Sequence, residues 1–345
     1  MSYCASLAWE QAVTNKNKLH TLVYHATREQ FGLGAQLACC ARDKAAEAVR
    51  AARSNGSDTC PTFTTDRSIR YDARTYRLMS LDRVSLNTMQ GRVVGQLVLG
   101  EYQRTRLYDT TWKIGGAELI RRDGVWYLHI TQTKANPTPS EPTGVLGVDL
   151  GIVNLVSDSD GEQYSGEQVK RVRERRFKHR QRLQKRNTRR ARYRLRQLAR
   201  KEARFAKDTN HVISKSLVEK ARRERKALAL EDLTNIRKRG TVRKAQRREH
   251  SSWAFAQLRA FIVYKAALAG VPVQFVCPRN TSRTCSVCGH CDKHNRRSQG
   301  HFQCGVCGHT ANADTNAAIN ISRAAVIQPL VLRPTGEERA QAAAL

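Results

Sequence analysis

The sequence predicts a multidomain α+β chain. A small antiparallel β domain with a helical bundle comes first. Strands alternating with helices around a mixed sheet follow, with a cysteine-rich insertion. Three observations carry this. Short β-rich runs with turn signals fill residues 60 to 134. From residue 145 onward, apolar strands alternate with helical stretches. Six of the ten cysteines crowd into residues 277 to 307.

The 345 residues are enough for two or three domains with real cores. A hydrophobic fraction of 40% excludes a merely disordered basic tail. No run approaches the ~20 apolar residues needed to cross a bilayer, so no membrane partner is expected. Met1 to Glu10 contains an acid and lacks a charged start followed by an apolar run. It does not read as a secretory signal, and a cytoplasmic protein is expected. Lys and Arg total 61 against 30 Asp and Glu, a net charge of +31. Such a chain most often meets a polyanion, and nucleic acid is the commonest one. A ribosomal-type structural protein, or a solvated charge excess, is the alternative.

Residues 16 to 53 read as helical: alanine is frequent, and Leu33, Leu37 and Cys40 recur. Asn55-Gly56-Ser57 ends that region in a turn. Arg92 to Leu99 and Val125 to Ile130 are β-rich, and Arg122-Asp123-Gly124 is a hairpin turn before the second run. Asn136 to Pro142 holds three prolines in seven residues and reads as a linker. Val145 to Val156 reads as a strand interrupted by Gly147 and Gly151, with Asp160-Gly161 turning into another. Lys170 to Lys207 carries 19 Lys or Arg and two acids, more than half of the net charge, on one or two long helices. A separate helix is expected over 210 to 226, then a short buried strand from Ala227 to Leu230. A basic loop over 235 to 250, an apolar helix from Trp253 to Ala269, a strand from Val271 to Val276 and a last helix over about 314 to 327 complete the chain.

Cys285-x-x-Cys288 and Cys304-x-x-Cys307 are two matched knuckles. Four thiolates at this spacing suit one tetrahedral Zn²⁺ of the ribbon type. Gly289 and Gly308 follow the knuckles, where the tight turn favours positive φ. Cys291 offers an overlapping CxxC and is assigned outside the ligand set. Four ligands close the site, which makes its role structural. The alternative is a set of buried apolar cysteines.

Three carboxylates stand in apolar or turn contexts of this basic chain. Asp149 ends Val145-Leu146-Gly147-Val148, Glu231 ends Ala227-Leu228-Ala229-Leu230, and Asp314 opens the final helix. Singly, Asp149 reads equally as a turn residue, Glu231 as a strand-edge charge and Asp314 as a helix N-cap. Together, two strand-end carboxylates and one at a helix start suit two Mg²⁺ ions, which take hard oxygen ligands and leave positions for phosphate and water.

These segments resemble a known family. Gly147-Val148-Asp149-Leu150-Gly151 is similar to the first motif of RuvC-type nucleases, on the RNase H-like fold. Leu228 to Leu233 resembles the second motif and Asn312 to Ile321 the third. A four-cysteine segment between the second and third motifs, introduced by Thr281-Ser282-Arg283-Thr284-Cys285, resembles TnpB, the transposon-encoded family related to compact type V CRISPR effectors. The resemblance implies an RNA-guided DNA endonuclease with guide RNA and target double-stranded DNA as partners. Asp149, Glu231 and Asp314 would be its metal-binding catalytic triad, holding two Mg²⁺. It also implies the domains: 1–143, a wedge-like β domain with recognition helices inserted at about 16–55; 144–276, the RuvC-like nuclease with basic helices at 169–226; 277–310, the zinc ribbon; 311–328, the third-motif helix; and 329–345, a flexible tail. The opening strand of the family is not recognisable in Met1 to Val13; either the β domain is trimmed or the family's start lies upstream.

The basic stretch can line a nucleic-acid channel. Arg171, Arg175, Arg176, Lys178, Arg182, Lys185, Arg186, Arg189 and Arg190 are its candidate contacts, and a solvated helix face is the alternative. Arg283 is a candidate for the scissile phosphate, with a structural contact to the ribbon the equal alternative. His129, His179 and His211 have no catalytic spacing and read as surface or core residues. A compact type V effector, a guided DNA-binding repressor that does not cut, and a strand-transfer transposase are the competing functions; no tyrosine stands in a convincing nucleophile context for the last.

Overall fold

The computed structural model describes residues 1–64, 68–80, 82–232 and 255–327. The expected loop at 235–250, the expected helix start at Trp253, Leu233 of the second motif and the tail at 329–345 lie outside the described residues. The chain divides into one unit over Met1–Ala135 and a second beginning at Asn136.

In the first unit, α1 (Ser2–Glu10), α2 (Lys16–Phe31) and α3 (Ala35–Ser54) pack around Cys4, Ala8, Leu19, Val23, Ala45 and Val49. Asn15 caps α2 by accepting from the Asn17 and Lys18 N–H groups, and Gly32, at φ +62, ends it. The helical stretch therefore breaks into two at Gly32 to Gly34, because only glycine takes that conformation without strain. The β region forms two three-stranded antiparallel sheets. One holds β2 (Tyr76–Ser80), β3 (Arg83–Thr88) and β4 (Gly91–Gln96); the other orders β1 (Ile69–Tyr71), β5 (Lys113–Arg122) and β6 (Val125–Thr133) as β1-β5-β6. Asp123 and Gly124 both have positive φ, as a two-residue primed hairpin turn requires. A helix, α4 (Glu101–Tyr108), buries none of its residues and gave no amphipathic signal in the sequence.

In the second unit, β7 (Gly144–Asp149), β8 (Asn154–Asp158), β9 (Gln163–Ser165), β10 (Lys226–Glu231) and β11 (Val273–Val276) form one sheet, ordered β11-β10-β7-β8-β9. β11, β10 and β7 are parallel; β8 and β9 extend the sheet antiparallel, so that β9 and β11 are its edges. This is a mixed α/β architecture. Val145 to Val156 is two paired strands rather than one. The chain turns sharply at Gly151, where a Cβ would meet the Asn154 carbonyl oxygen at 2.6 Å.

The basic stretch is a hairpin of α5 (Glu167–Arg186) and α6 (Arg189–Arg223), reversed at Asn187 with φ +42. Thr188 caps α6 through the Ala191 N–H at 3.1 Å. The helix expected over 210 to 226 is the end of this same 35-residue α6. No glycine or proline interrupts residues 189 to 223, so nothing stops it. Further on, α7 (Phe255–Ala269) precedes β11. The short strands β12 (Phe302–Gln303) and β13 (Thr310–Ala311) and then α8 (Ala313–Ile327) follow it.

Strand alternation sets the layers. Leu146, Val148, Leu228 and Leu230 join a core with Ile213, Leu217 and Val218 of α6 and Leu258 and Ile262 of α7. Val145 and Ala229 instead pack with Ile321 and Ala325 of α8. Four residues beyond Val145 and two beyond Ala229, Asp149 and Glu231 fall on the α8 side of the sheet. An ion cluster around the buried Lys220 and Asp158 pins α6 to the β8–β9 turn: Lys220 reaches Asp158 at 2.5 Å and the exposed Glu162 and Asp160 at 3.2 and 3.5 Å. Burial works to lower the Lys220 pKa, but its three carboxylates prevail and raise it. No helix among the described residues is long and apolar enough to cross a membrane.

Candidate functional site

Asp149 and Glu231 are carried to the same edge by register. Leu230 pairs with Val148 in the parallel β10–β7 ladder, so the next residues, Glu231 and Asp149, lie side by side. The third carboxylate arrives on α8. Gly147 permits this, since a Cβ there would lie 2.0 Å from the Ala318 carbonyl oxygen and 2.5 Å from the Ser322 nitrogen. The Ser322 hydroxyl then donates to the Val145 carbonyl at 2.7 Å, fixing the helix on the strand. Asp314 is buried at the first turn of α8 and is not its cap. Asn312 takes that role, its Oδ1 accepting from the Asp314 and Thr315 N–H groups at 2.9 and 3.2 Å.

Asp149 senses the other two carboxylates. Burial first, then the charges of Glu231 and Asp314, push the Asp149 carboxyl up to about 7, while Arg296 pulls the other way. Burial likewise raises Glu231, against a hydrogen bond from Thr281. Like charges forced into a poorly solvated corner behave this way, and such corners are candidate functional sites.

Five polar side chains around this corner were not singled out by sequence reasoning. The Thr281 hydroxyl donates to Glu231 Oε1 at 2.5 Å. Asn154 Nδ2 donates to Asp314 Oδ2 at 3.1 Å, and the Arg296 guanidinium pairs with Asp314 Oδ1 at 3.0 Å. Asn316 and Asn320, one helical turn apart on α8, grip the segment before the first knuckle. Asn316 accepts from the Ser286 N–H at 2.9 Å and donates to the Thr284 carbonyl at 2.8 Å; Asn320 donates to the Thr281 and Thr284 carbonyls at 2.8 and 2.7 Å. Thr281, Asn316 and Asn320 lie inside the quoted motifs. Arg296, in a loop between the knuckles, carries no local signal.

The cysteine segment folds as two like knuckles. The Cys285 N–H donates to the His290 carbonyl and the Cys304 N–H to the His309 carbonyl, each at 2.9 Å. Gly289 and Gly308 close the turns at φ +77 and +70. Sγ of Cys285 lies 3.6 Å from that of Cys307, and Sγ of Cys288 3.5 Å from that of Cys304. A tetrahedral ion with bonds of about 2.3 Å would set its sulfurs about 3.8 Å apart, so the quartet could hold a metal ion. Backbone N–H groups of Cys307 and Val306 help bring the Cys304 thiol down to about 6. Among the described residues these four form a group whose ligand atoms all lie within 4.8 Å of one another. Cys291 is exposed and outside the quartet.

The basic candidates divide. Arg171, Arg175, Lys178, Arg182, Lys185, Arg186, Arg189 and Arg190 are exposed on α5 and the start of α6. Arg171 lies 3.8 Å from Glu167 along its own helix. Arg176 is half-buried, donates to the Lys201 carbonyl at 3.2 Å and lies 4.9 Å from the Phe205 ring centre. With the Arg180–Glu202 ion pair it ties α5 to α6. Arg283 is exposed, and the ribbon arginine that touches the carboxylates is Arg296. His129 and His179 are exposed. His211 stacks on Phe261 with ring centres 4.0 Å apart, and burial lowers its pKa.

Comparison with known proteins places the sequence. The family described as "Probable transposase" (OrfB_IS605) matches residues 128–237, and "Cas12f1-like, TNB domain" matches 255–321. The TnpB-like protein MJ0751 of Methanocaldococcus jannaschii is 29% identical over 70% of this chain and 90% of its own length. A CRISPR-associated endodeoxyribonuclease Cas12f1 of Sulfoacidibacillus thermotolerans is 42% identical over 36% of this chain and 29% of its own length. The protein named "Putative RNA-guided DNA endonuclease InsQ" of Escherichia coli is 30% identical over 57% of this chain and 53% of its own. The chain thus spans nine-tenths of the first relative, under a third of the second and about half of the third. With a transposase-type segment followed by a Cas12f1-like TNB domain, the chain is a relative of the TnpB-like proteins and of the Cas12f nucleases.

Proposed function

We propose that this chain is a metal-dependent, RNA-guided DNA endonuclease whose second unit contains a RuvC-like nuclease of the RNase H type. The observation that carries the reading is the gathering of Asp149, Glu231 and Asp314 on one side of one sheet: burial and the other two carboxylates raise Asp149, burial raises Glu231, and Arg296 pairs with Asp314. Relatives named as endodeoxyribonuclease and as RNA-guided DNA endonuclease support it. The domains follow the same reading: β domain with helices over 1–143, nuclease over 144–276, ribbon over 277–310 and third-motif helix over 311–328.

The residues suit a hard divalent cation. All three donors are carboxylate oxygens, and two of them have pKa values raised by burial, which a bound cation relieves. Asp149, Glu231 and Asp314 would hold two Mg²⁺. Such ions supply Lewis acidity to a phosphodiester and lower the pKa of water. The chain's own contribution is orientation: Thr281 fixes one Glu231 oxygen and Asn154 one Asp314 oxygen. Cys285, Cys288, Cys304 and Cys307 would hold one structural Zn²⁺, keeping Thr281 and Arg296 on the carboxylates. The exposed arginines and lysines of α5 and early α6 would contact phosphates of guide RNA and target DNA, with Arg283 a further phosphate contact.

A compact type V effector is the second reading, favoured by the 42% identity to a Cas12f1. Sequencing the RNA that copurifies with the protein tests both. A discrete RNA ending in a variable guide is expected, and its constant part, transposon end or CRISPR repeat, selects between them. Purification free of any discrete RNA would contradict RNA guidance.

A further inference from the structure

The acidic corner has a built-in cation. Arg296 pairs with Asp314 Oδ1 at 3.0 Å, and its charge also acts on Asp149. The loop that carries it is held from several sides. Its guanidinium donates to the Gln299 carbonyl at 3.2 Å, and Arg296 bridges to Phe302, which is buried among Cys285, Cys304 and Ala313. The Ala313 N–H at the start of α8 reaches the Gly300 carbonyl at 3.4 Å. Arg296 is therefore positioned by the ribbon and by the helix that presents Asp314. Asn154 engages the other oxygen, Oδ2, at 3.1 Å.

These two donors differ in kind. Asn154 is neutral, and a carboxylate has about four lone-pair sites, so its bond can persist beside a metal ion. Arg296 brings a permanent positive charge to an oxygen a divalent cation would use. Two cations within a few ångströms on one carboxylate repel.

We propose that Arg296 is the counter-ion of the metal-free centre and that a divalent cation must displace it from Asp314, so that the ribbon sets the affinity of the carboxylates for metal. The inference rests on the carboxylate-centre reading above. Arg296 acts through Asp314 and is a positioning residue in this role.

The test is Mn²⁺ binding by the full-length, zinc-loaded protein without nucleic acid, followed by calorimetry or by electron paramagnetic resonance. Arg296→Gln is expected to bind Mn²⁺ about tenfold tighter than the parent, the scale of one lost repulsive charge. Arg297→Gln removes a neighbouring exposed charge and is expected to leave the affinity within about twofold. Unchanged or weaker binding by Arg296→Gln, or an equal gain from Arg297→Gln, overturns the proposal while leaving the metal centre standing. If Arg296→Gln loses its zinc, Arg296→Met, which keeps the apolar stem, is read by the same criterion. Failure of the parent to bind Mn²⁺, or binding undiminished in Asp314→Asn, overturns the metal-centre reading and this inference with it.

Discussion

The carbonyl oxygen of Ala318 occupies the space a side chain on Gly147 would need: a Cβ there would lie 2.0 Å away. This close approach lets α8 lie on β7 and brings Asp314 to the face that carries Asp149. Gly147→Ala is expected to push the helix away and to destabilise the protein by about 3 kcal/mol, the scale of an overpacked buried site. Mn²⁺ binding should weaken in the same variant. A thermal midpoint and Mn²⁺ affinity equal to the parent's would contradict the close-packing argument.

Asp149 predicts a pH dependence. Its folded pKa of about 7 lies above the ordinary 3.8. The folded chain thus keeps a proton that the unfolded chain has lost, and in the metal-free protein stability falls as pH rises from about 4 to 7. Asp149→Asn removes this term. At pH 8 without divalent cation it should be more stable than the parent by on the order of 2 kcal/mol, and near pH 4 the two should converge. Thermal melts of the zinc-loaded protein at both pH values check this. A variant less stable at pH 8 would argue against a strained carboxylate.

Lys220 is the partner that makes Asp158 tolerable, since Asp158 is fully buried and the two lie 2.5 Å apart. Lys220→Met should cost about 3 kcal/mol by leaving that charge uncompensated. Adding Asp158→Asn should recover part of the loss. A denaturant melt of the single and double variants measures both effects; a double variant no better than the single one would show that the pair is not coupled.

The quartet of cysteines predicts about one zinc per chain. Cys304→Ser should lose that zinc, lower stability and expose residues 277–310 to protease. A fully zinc-loaded Cys304→Ser protein of parental stability would exclude the ribbon as a metal site.

Much of this site was legible because local chemistry and register agree. Knuckle glycines at positive φ, apolar strands ending in Asp149 and Glu231, and the Asp123-Gly124 turn are all short-range signals. What stayed hidden depends on distant residues. Asn154 and Arg296 meet on Asp314 from positions 160 and 18 residues away. The helix expected separately over 210 to 226 belongs to α6, which runs on because no glycine or proline interrupts residues 189 to 223. The β domain divides into two sheets, and β5 carries a register shift between Ile114 and Ala117. Alternation of residue types does not reveal how strands partition between sheets.

Cleavage of matched DNA by the purified ribonucleoprotein in Mg²⁺ tests the central claim most directly. The parent complex, with its own guide RNA, should cut a matched duplex, and Asp149→Ala should abolish cutting while keeping RNA and DNA bound. A parent complex that binds its matched target and never cuts it, or an Asp149→Ala complex that cuts as well as the parent, would contradict the account.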